Sequence, residues 1–221
     1  MSTEGTIERL LDAAESLFAE HGLDGTSLRA ITAEAGANLA AVNYHFGSKE
    51  GLIAAVFQRR IEPLNQERIR LLDEALAAAS PKPPALEDTL RAFVAPILSL
   101  RAGGGNGGPC LQLLGRVFSE PSEIKMQVVS QFRPTAERFL KVLSQTLPDL
   151  PPSEIMWRLH FLIGSLAHTA VAGDMIQMMS AGKCDAGGGQ DTIHRLTAYA
   201  AAGFRAPYTE PPPSREEPKA L

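Results

Sequence analysis

Apolar residues recur at three- and four-residue intervals along most of the chain, which is the spacing of amphipathic α-helices. The first such stripe runs from Ile7 to Phe18. It is expected to end at Gly22, because glycine adopts the left-handed cap conformation at little cost. No segment of any length alternates with the two-residue period of a strand. The pattern therefore predicts an all-α fold.

Three more helices follow closely, and each begins at a residue that can cap a helix start. The predicted caps are Thr26 or Ser27, then Asn38, then Ser48. The helix after Asn38 is short and is expected to end near residue 46, whereas the helix after Ser48 continues to about residue 79. Two short helices split by a glycine predict a helix-turn-helix, which reads DNA with its second helix.

A proline cluster over residues 81–84 marks the end of this first group of helices. The periodicity predicts a second group over residues 85–101, 109–119, 121–146, 153–181 and 189–205. The expected domains are a three-helix DNA-binding domain over residues 1–50, a helical ligand-binding and dimerisation domain over 51–206, and a disordered tail over 207–221.

The net charge of −4 excludes a protein that coats nucleic acid along its whole surface, so DNA contact requires a local patch. Such a patch is expected over residues 26–60, where the acids Glu34 and Glu50 are outnumbered by basic residues. The basic residues there are Arg29, Lys49, Arg59 and Arg60.

Two cysteines do not make a disulfide framework, and the first residues do not resemble a signal peptide, so we expect a reducing cytoplasm. The most apolar long stretch, residues 155–179, carries Arg158 and Asp174 as well as two histidines. A membrane span would rarely tolerate these groups. We interpret it as a buried or interface helix and expect no membrane association.

The helix after Asn38 offers side chains suited to the major groove. Val42 and Phe46 lie four residues apart and are expected to anchor it to the core. The residues expected to face the bases are Leu39, Ala40, Ala41 and Asn43. The residues expected to contact phosphates are Thr26, Ser27, Asn38, Tyr44, His45 and Lys49. The alternatives are that Tyr44 and His45 fill the core and that some outward residues face only solvent.

The run Tyr44–Glu50 (YHFGSKE) is the most specific motif of the chain. Through it, residues 6–57 resemble the DNA-binding domain of the TetR family of transcriptional regulators. The resemblance implies an all-helical homodimer that binds an operator in double-stranded DNA and carries a divergent C-terminal ligand domain. Asn43 departs from the family, which often has an aromatic residue there, and this bears on base preference.

A narrower resemblance involves residues 38–49, 111–121 and 151–164. These segments are similar to the fatty-acid-responsive PsrA-like branch of the family. That likeness implies a repressor released from DNA by a long-chain fatty acid or acyl-CoA.

Candidate effector contacts come from two helices of the second group. Arg116 lies among apolar residues and is suited to the carboxylate or phosphate of an acidic ligand, or to an ion pair with Glu120. Arg158 presents the same choice with Glu154. An aromatic and methionine stripe on the helix of residues 153–181 fits either a dimer interface, which we favour for most of it, or a pocket wall. The candidate ligand-binding residues are Leu113, Arg116, Phe118, Trp157 and Phe161.

The sequence holds no catalytic triad, paired carboxylates or metal-spaced cluster, so we expect neither an enzyme nor a cofactor or metal site. His160 and His168 are eight residues apart, whereas helical metal pairs usually lie four apart, so a hydrogen-bonded core or interface role is favoured.

The favoured function is a homodimeric repressor that a small hydrophobic effector releases from a palindromic operator. Alternatives are an activator, a regulator with an unrelated hydrophobic or aromatic ligand, and a helical interaction module without operator binding.

Overall fold

The computed structural model describes residues 3–103, 107–117, 122–184 and 189–210. Within those ranges the chain forms ten α-helices and no strand, which confirms the all-α prediction. The helices are α1 Thr3–His21, α2 Leu28–Glu34, α3 Leu39–Phe46, α4 Lys49–Ala79, α5 Leu86–Ala102, α6 Gly107–Arg116, α7 Ser122–Ser130, α8 Arg133–Thr146, α9 Pro152–Met179 and α10 Gln190–Arg205. Most of the predicted tail, from residue 211 on, lies outside the described residues.

Short polar side chains begin α2, α3 and α4. The side-chain oxygens of Ser27, Asn38 and Ser48 each accept a hydrogen bond from the backbone N–H three residues further on, at 3.1, 2.9 and 3.1 Å. Each cap satisfies one of the donors that a helix start leaves free. Of the two candidates for the first cap, the structure selects Ser27.

Glycines with positive φ end α2 and α3. Gly36 has φ of +57° and Gly47 has φ of +76°, values that residues with a Cβ rarely adopt. These two turns set the directions in which α3 leaves α2 and α4 leaves α3. The helix-turn-helix geometry thus depends on backbone conformations that glycine reaches at little cost.

Two apolar cores lie at either end of α4. The N-terminal core joins α1–α3 to the first half of α4, including Ile53 and Phe57, and to residues of α6 and α7. The C-terminal core joins the second half of α4, at Leu72, to α5 and α8–α10. The domain boundary predicted at residue 50 falls just inside α4, whose first turns pack with the DNA-binding domain. One continuous helix therefore packs in both cores.

The prediction of a single helix over residues 121–146 is wrong. α7 ends at Ser130 and α8 begins at Arg133, with Gln131 and Phe132 in a turn between them. Pro134 stands in the first turn of α8, where its missing N–H is harmless, whereas inside a longer helix it would remove a hydrogen bond.

Arg158 ties the start of α9 to the end of α10. Its Nε donates to Glu154 at 2.7 Å, and its Nη1 donates to the carbonyl oxygens of Phe204 and Ala206, both at 2.8 Å. The ion pair with Glu154 that the sequence allowed is therefore formed. The rest of the guanidinium satisfies carbonyl groups at the α10 C-terminus, as cations there commonly do.

Candidate functional site

α3 stands on the N-terminal core and presents one face outward. Val42, on the inner side of α3, is fully buried. Four residues on the outer side are exposed, namely Leu39, Ala40, Asn43 and Tyr44, the last at 83 %. We call these four exposed residues the reading face. The exposed Tyr44 carries a hydroxyl that can donate a hydrogen bond to a phosphate oxygen.

Two predicted DNA-contact residues lie less favourably than expected. Thr26 is only 2 % exposed, and its hydroxyl donates to the carbonyl oxygens of Leu17 at 3.1 Å and Gly22 at 2.8 Å. That hydroxyl stabilises the turn between α1 and α2 and is not available to a phosphate. Ala41 is partly buried and packs against the core, so less of its surface is open to a base.

The predicted phosphate contacts lie around the reading face. Asn38 uses its Oδ1 as the α3 cap and keeps its amide nitrogen free of that bond. His45 is partly buried and meets Tyr44 edge to face, with ring centroids 4.9 Å apart. Lys49, at the start of α4, is partly exposed. Arg29 was named among the basic residues of this region but not as a DNA contact. It is exposed on α2 and adds a further cation to this surface.

Two of the basic residues counted over residues 26–60 do not belong to this surface. Arg59 pairs with Asp12 at 2.7 Å, with Glu15 at 2.6 Å and with Glu8 at 3.3 Å, and Arg60 pairs with Glu15 at 2.7 Å. Burial lowers the pKa of Arg59, but the hydrogen bonds to Glu15 and Asp12 more than offset it and raise that pKa above its ordinary value. These pairs hold α1 against α4, so the positive patch is smaller than the sequence predicted.

An apolar cavity of about 240 Å³ lies between the two cores. Helices α4 to α9 all contribute to its wall, with Arg68, Phe93, Leu114, Val128, Ala136 and Leu166 as one residue from each. Val117 and Val128 line the cavity and also belong to the N-terminal core. A molecule in the cavity would therefore press on the same side chains that support the DNA-binding helices.

None of the predicted effector contacts that the structure describes lines this cavity. Leu113 is buried in the N-terminal core, while Trp157 and Phe161 are 54 % and 62 % exposed on the outside of α9. The side chain of Arg116 and all of Phe118 lie outside the described residues. Sequence periodicity alone could not separate cavity wall from core or surface, because all three carry apolar side chains on a helix.

Arg68 is the charged cavity residue for which the sequence did hold a signal. It lies four residues after Leu64 and four before Leu72, on the buried stripe of α4. A charged residue in the middle of an apolar helical stripe was the available signal.

Both histidines of α9 are exposed, so neither is a core histidine, and His160 packs edge to face on Trp157 with ring centroids 5.9 Å apart. Both cysteines are free thiols, Cys110 buried at the base of α6 and Cys184 exposed.

The two thiols are expected to differ strongly in reactivity. Burial raises the pKa of Cys110 to about 11, so very little of it is thiolate at pH 8. A disulfide reagent should therefore modify Cys184 rapidly and Cys110 more than about a hundredfold slower. Stopped-flow absorbance measures both phases, and Cys184→Ser should remove the fast one. Two equally fast phases would show that the Cys110 thiol is accessible to the reagent and contradict its burial.

Comparison with known proteins agrees with this architecture. A family model described as "Bacterial regulatory proteins, tetR family" matches residues 10–56, and one described as "Tetracyclin repressor-like, C-terminal domain" matches residues 91–203. The fold and its exposed recognition helix define a DNA-binding transcriptional regulator. The chain belongs to the TetR family.

Individual relatives extend the comparison. The HTH-type transcriptional dual regulator CecR of Shigella flexneri is 47 % identical over 51 residues, which are 23 % of this chain and 22 % of that protein. The match thus spans about a fifth of the length of that curated relative.

Two solved structures share the fold along most of the chain. The fatty acid degradation regulator FadR from Bacillus halodurans superposes with a TM-score of 0.64, at 16 % identity, over 90 % of this chain and 96 % of that one. FadR from Bacillus subtilis, solved in complex with stearoyl-CoA, superposes with a TM-score of 0.60 at 16 % identity. That match covers 89 % of this chain and 98 % of the other. At such identities the likeness shows the fold alone.

Proposed function

We propose that this regulator is a cytoplasmic, homodimeric repressor that a small apolar effector releases from a palindromic operator. The observation that carries the proposal is the shared wall between the effector cavity and the N-terminal core at Val117 and Val128. An effector can release DNA only if it binds a shape of the protein that fits the operator less well. Side chains common to cavity and core provide a physical route for that change.

The outer face of α9 is the proposed dimer interface. Nine large apolar side chains of α9 are exposed, and they are Met156, Trp157, Phe161, Ile163, Val171, Met175, Ile176, Met178 and Met179. α9 is long and apolar enough to cross a membrane, and only 28 % of its most apolar window is buried. The same helix carries Arg158 and Asp174 and packs against α5, α8 and α10, so a second copy of this chain is a better cover than lipid.

A two-fold dimer presents two reading faces to one side of the DNA. Such a dimer binds half-sites one helical turn apart, about 34–36 Å, and therefore prefers a near-palindromic operator. A change in the spacing of the two α3 helices would break this match. That is the proposed basis of release.

The cavity supports an acyl chain as the effector. Apart from a few polar groups its wall is made of apolar side chains, as in sites for hydrocarbon. The acyl-CoA bound to a regulator of the same fold supports the same class of ligand, namely a fatty acid or acyl-CoA. An aromatic or other hydrophobic effector is the alternative, because an apolar wall by itself does not specify ligand shape.

Selection of random DNA duplexes by the purified protein tests the proposal. We expect an enriched palindrome that is lost when a fatty acid or acyl-CoA is added. If the palindrome is still enriched with both lipids but is lost with aromatic compounds, the effector belongs to the aromatic class and the lipid assignment is wrong. The absence of any enriched sequence would contradict the operator-binding proposal.

Lys49→Ala is expected to weaken binding to all duplexes alike and to lower the slope of log K against log salt concentration by about one. The reason is that a single phosphate contact releases about one condensed counterion. Fluorescence anisotropy at four salt concentrations measures the slope. Lys141→Ala on α8 is the control and should leave it unchanged. An unaltered slope for Lys49→Ala would remove this residue from the DNA contacts.

A further inference from the structure

The wall of the effector cavity holds one buried cation. Arg68 is only 3 % exposed, and its Nε donates to the carbonyl oxygen of Phe93 at 2.9 Å. Its guanidinium carbon lies 4.2 Å from the centroid of the Phe93 ring. Among the described residues, no hydrogen bond reaches its two terminal nitrogens and no carboxylate pairs with it. Among the described residues, two of the three guanidinium nitrogens are thus without a hydrogen-bond partner.

A buried charge normally has a partner, because removing an ion from water is costly. Arg158, the other arginine buried to this extent in the described part of the chain, pairs with Glu154 at 2.7 Å. Burial lowers the pKa of Arg68 to about 10, so the side chain remains positively charged at neutral pH. The rings of Phe93 and Phe132, whose centroids lie 4.2 and 5.9 Å from the guanidinium carbon, offset part of this charge. The protein therefore keeps beside an apolar cavity a positive charge that no carboxylate of the described residues pairs with.

The other polar groups on the wall suit the same ligand. Lys125 is partly exposed and forms no ion pair with any described residue, and no carboxylate lines the cavity. Thr135 is buried with its hydroxyl unbonded among the described residues. Two cations and a hydroxyl, with no acid among them, make the cavity attractive to an anion that also carries a hydrocarbon chain.

We propose that the effector is a free carboxylic acid of medium chain length, whose carboxylate pairs with Arg68 and whose hydrocarbon fills the apolar part of the cavity. This deepens the effector part of the proposed function and does not depend on operator binding. A CoA thioester places a neutral carbonyl where the carboxylate would lie, and its bulky headgroup cannot reach a side chain buried to this degree. A cavity of about 240 Å³ is also smaller than sites for drug-sized ligands, about 300–1,000 Å³, which favours a medium over a long chain.

Calorimetric titration of the DNA-free protein with decanoate, methyl decanoate and decanoyl-CoA tests this assignment. We expect decanoate to bind the native protein at least about tenfold more tightly than the other two ligands, because only decanoate forms a charge-assisted hydrogen bond. Arg68→Gln should lose at least about tenfold in decanoate affinity and keep its affinity for methyl decanoate. Arg68→Lys retains the charge and should keep most of the affinity, which provides a second variant if the first does not fold.

Two controls separate ligand recognition from a structural role. Lys125→Gln removes the other cation of the wall and should weaken decanoate binding less than Arg68→Gln does. Without ligand, the melting temperature of Arg68→Gln should match or exceed that of the native protein, because an unpaired buried charge has been removed. A lower melting temperature with decanoate affinity intact would show that Arg68 is purely structural.

Four binding results would overturn the proposal. In Arg68→Gln, they are unchanged affinity for decanoate, or equal losses of affinity for decanoate and methyl decanoate. The others are tighter binding of decanoyl-CoA than of decanoate by the native protein, and a larger loss of decanoate affinity in Lys125→Gln than in Arg68→Gln. None of these results would contradict the operator-binding proposal, because the titrations contain no DNA. Conversely, failure to select an operator would leave these titrations valid.

Discussion

Replacing Phe161 with glutamate is expected to turn the protein into a monomer and to weaken its binding to a palindromic operator by about a hundredfold or more. Phe161 is exposed on the outer face of α9 and stacks on Trp157 with ring centroids 5.8 Å apart. A carboxylate in the middle of an apolar interface has no partner and must lose its water, which costs several kcal/mol. A monomer then binds a single half-site and loses the increase in affinity that a dimer gains by binding two half-sites at once.

Sedimentation velocity gives the mass of this variant, and anisotropy with a labelled operator gives its affinity. Met126→Glu is the matched control, because Met126 is an exposed apolar residue on α7, which is not the helix of the proposed interface. It should leave both the dimer and the affinity unchanged. A dimeric Phe161→Glu protein with native affinity would show that the outer face of α9 does not form the interface.

Gly51→Ala is expected to destabilise the DNA-binding domain by about 2 kcal/mol and to weaken operator binding at least about tenfold. A Cβ at Gly51 would overlap the carbonyl oxygen of Phe46, the last residue of α3. The clash is with backbone, so it cannot be relieved by turning a side chain. α3 must shift relative to α4, and the reading face then no longer fits the groove.

Urea denaturation measures the stability change, and the same anisotropy titration measures the affinity. Gly108→Ala is the control, because a Cβ at Gly108 in α6 meets no atom within 4 Å. Ala has the higher helix propensity, so that variant should be at least as stable as the native protein. Native stability and affinity in Gly51→Ala would mean that α3 and α4 can separate at no cost.

The helix-turn-helix could be read from the sequence because its determinants are local. Ser27, Asn38 and Ser48 cap the backbone three residues further on, and Gly36 and Gly47 provide turn conformations that few other residues adopt. Each of these interactions is made within a few residues of chain, so a sequence pattern contains them in full. The motif Tyr44–Glu50 spans one such junction, and for this reason its resemblance to the TetR family was specific.

The effector cavity could not be predicted in the same way. Leu113, Trp157 and Phe161 are all apolar and helical, but the first lies in the N-terminal core and the other two are exposed on α9. Which apolar residue lines a void depends on how six helices pack, and those contacts join residues far apart in the chain. Hydrophobic periodicity reports which apolar side chains share one side of a helix, without reporting whether that side meets a core, a cavity or solvent.

By itself, the sequence determined the all-α class, the helix-turn-helix and the regulator family, because caps, turns and helical periodicity act over short distances. Tertiary structure decided which charges are available. It paired Arg59 and Arg60 with the acids of α1 and buried the hydroxyl of Thr26. It also left Arg68 charged on the cavity wall, where only its Nε has a hydrogen-bond partner among the described residues. A charge acquires its role from the groups that surround it in space, and those groups come from helices that meet only when the chain folds.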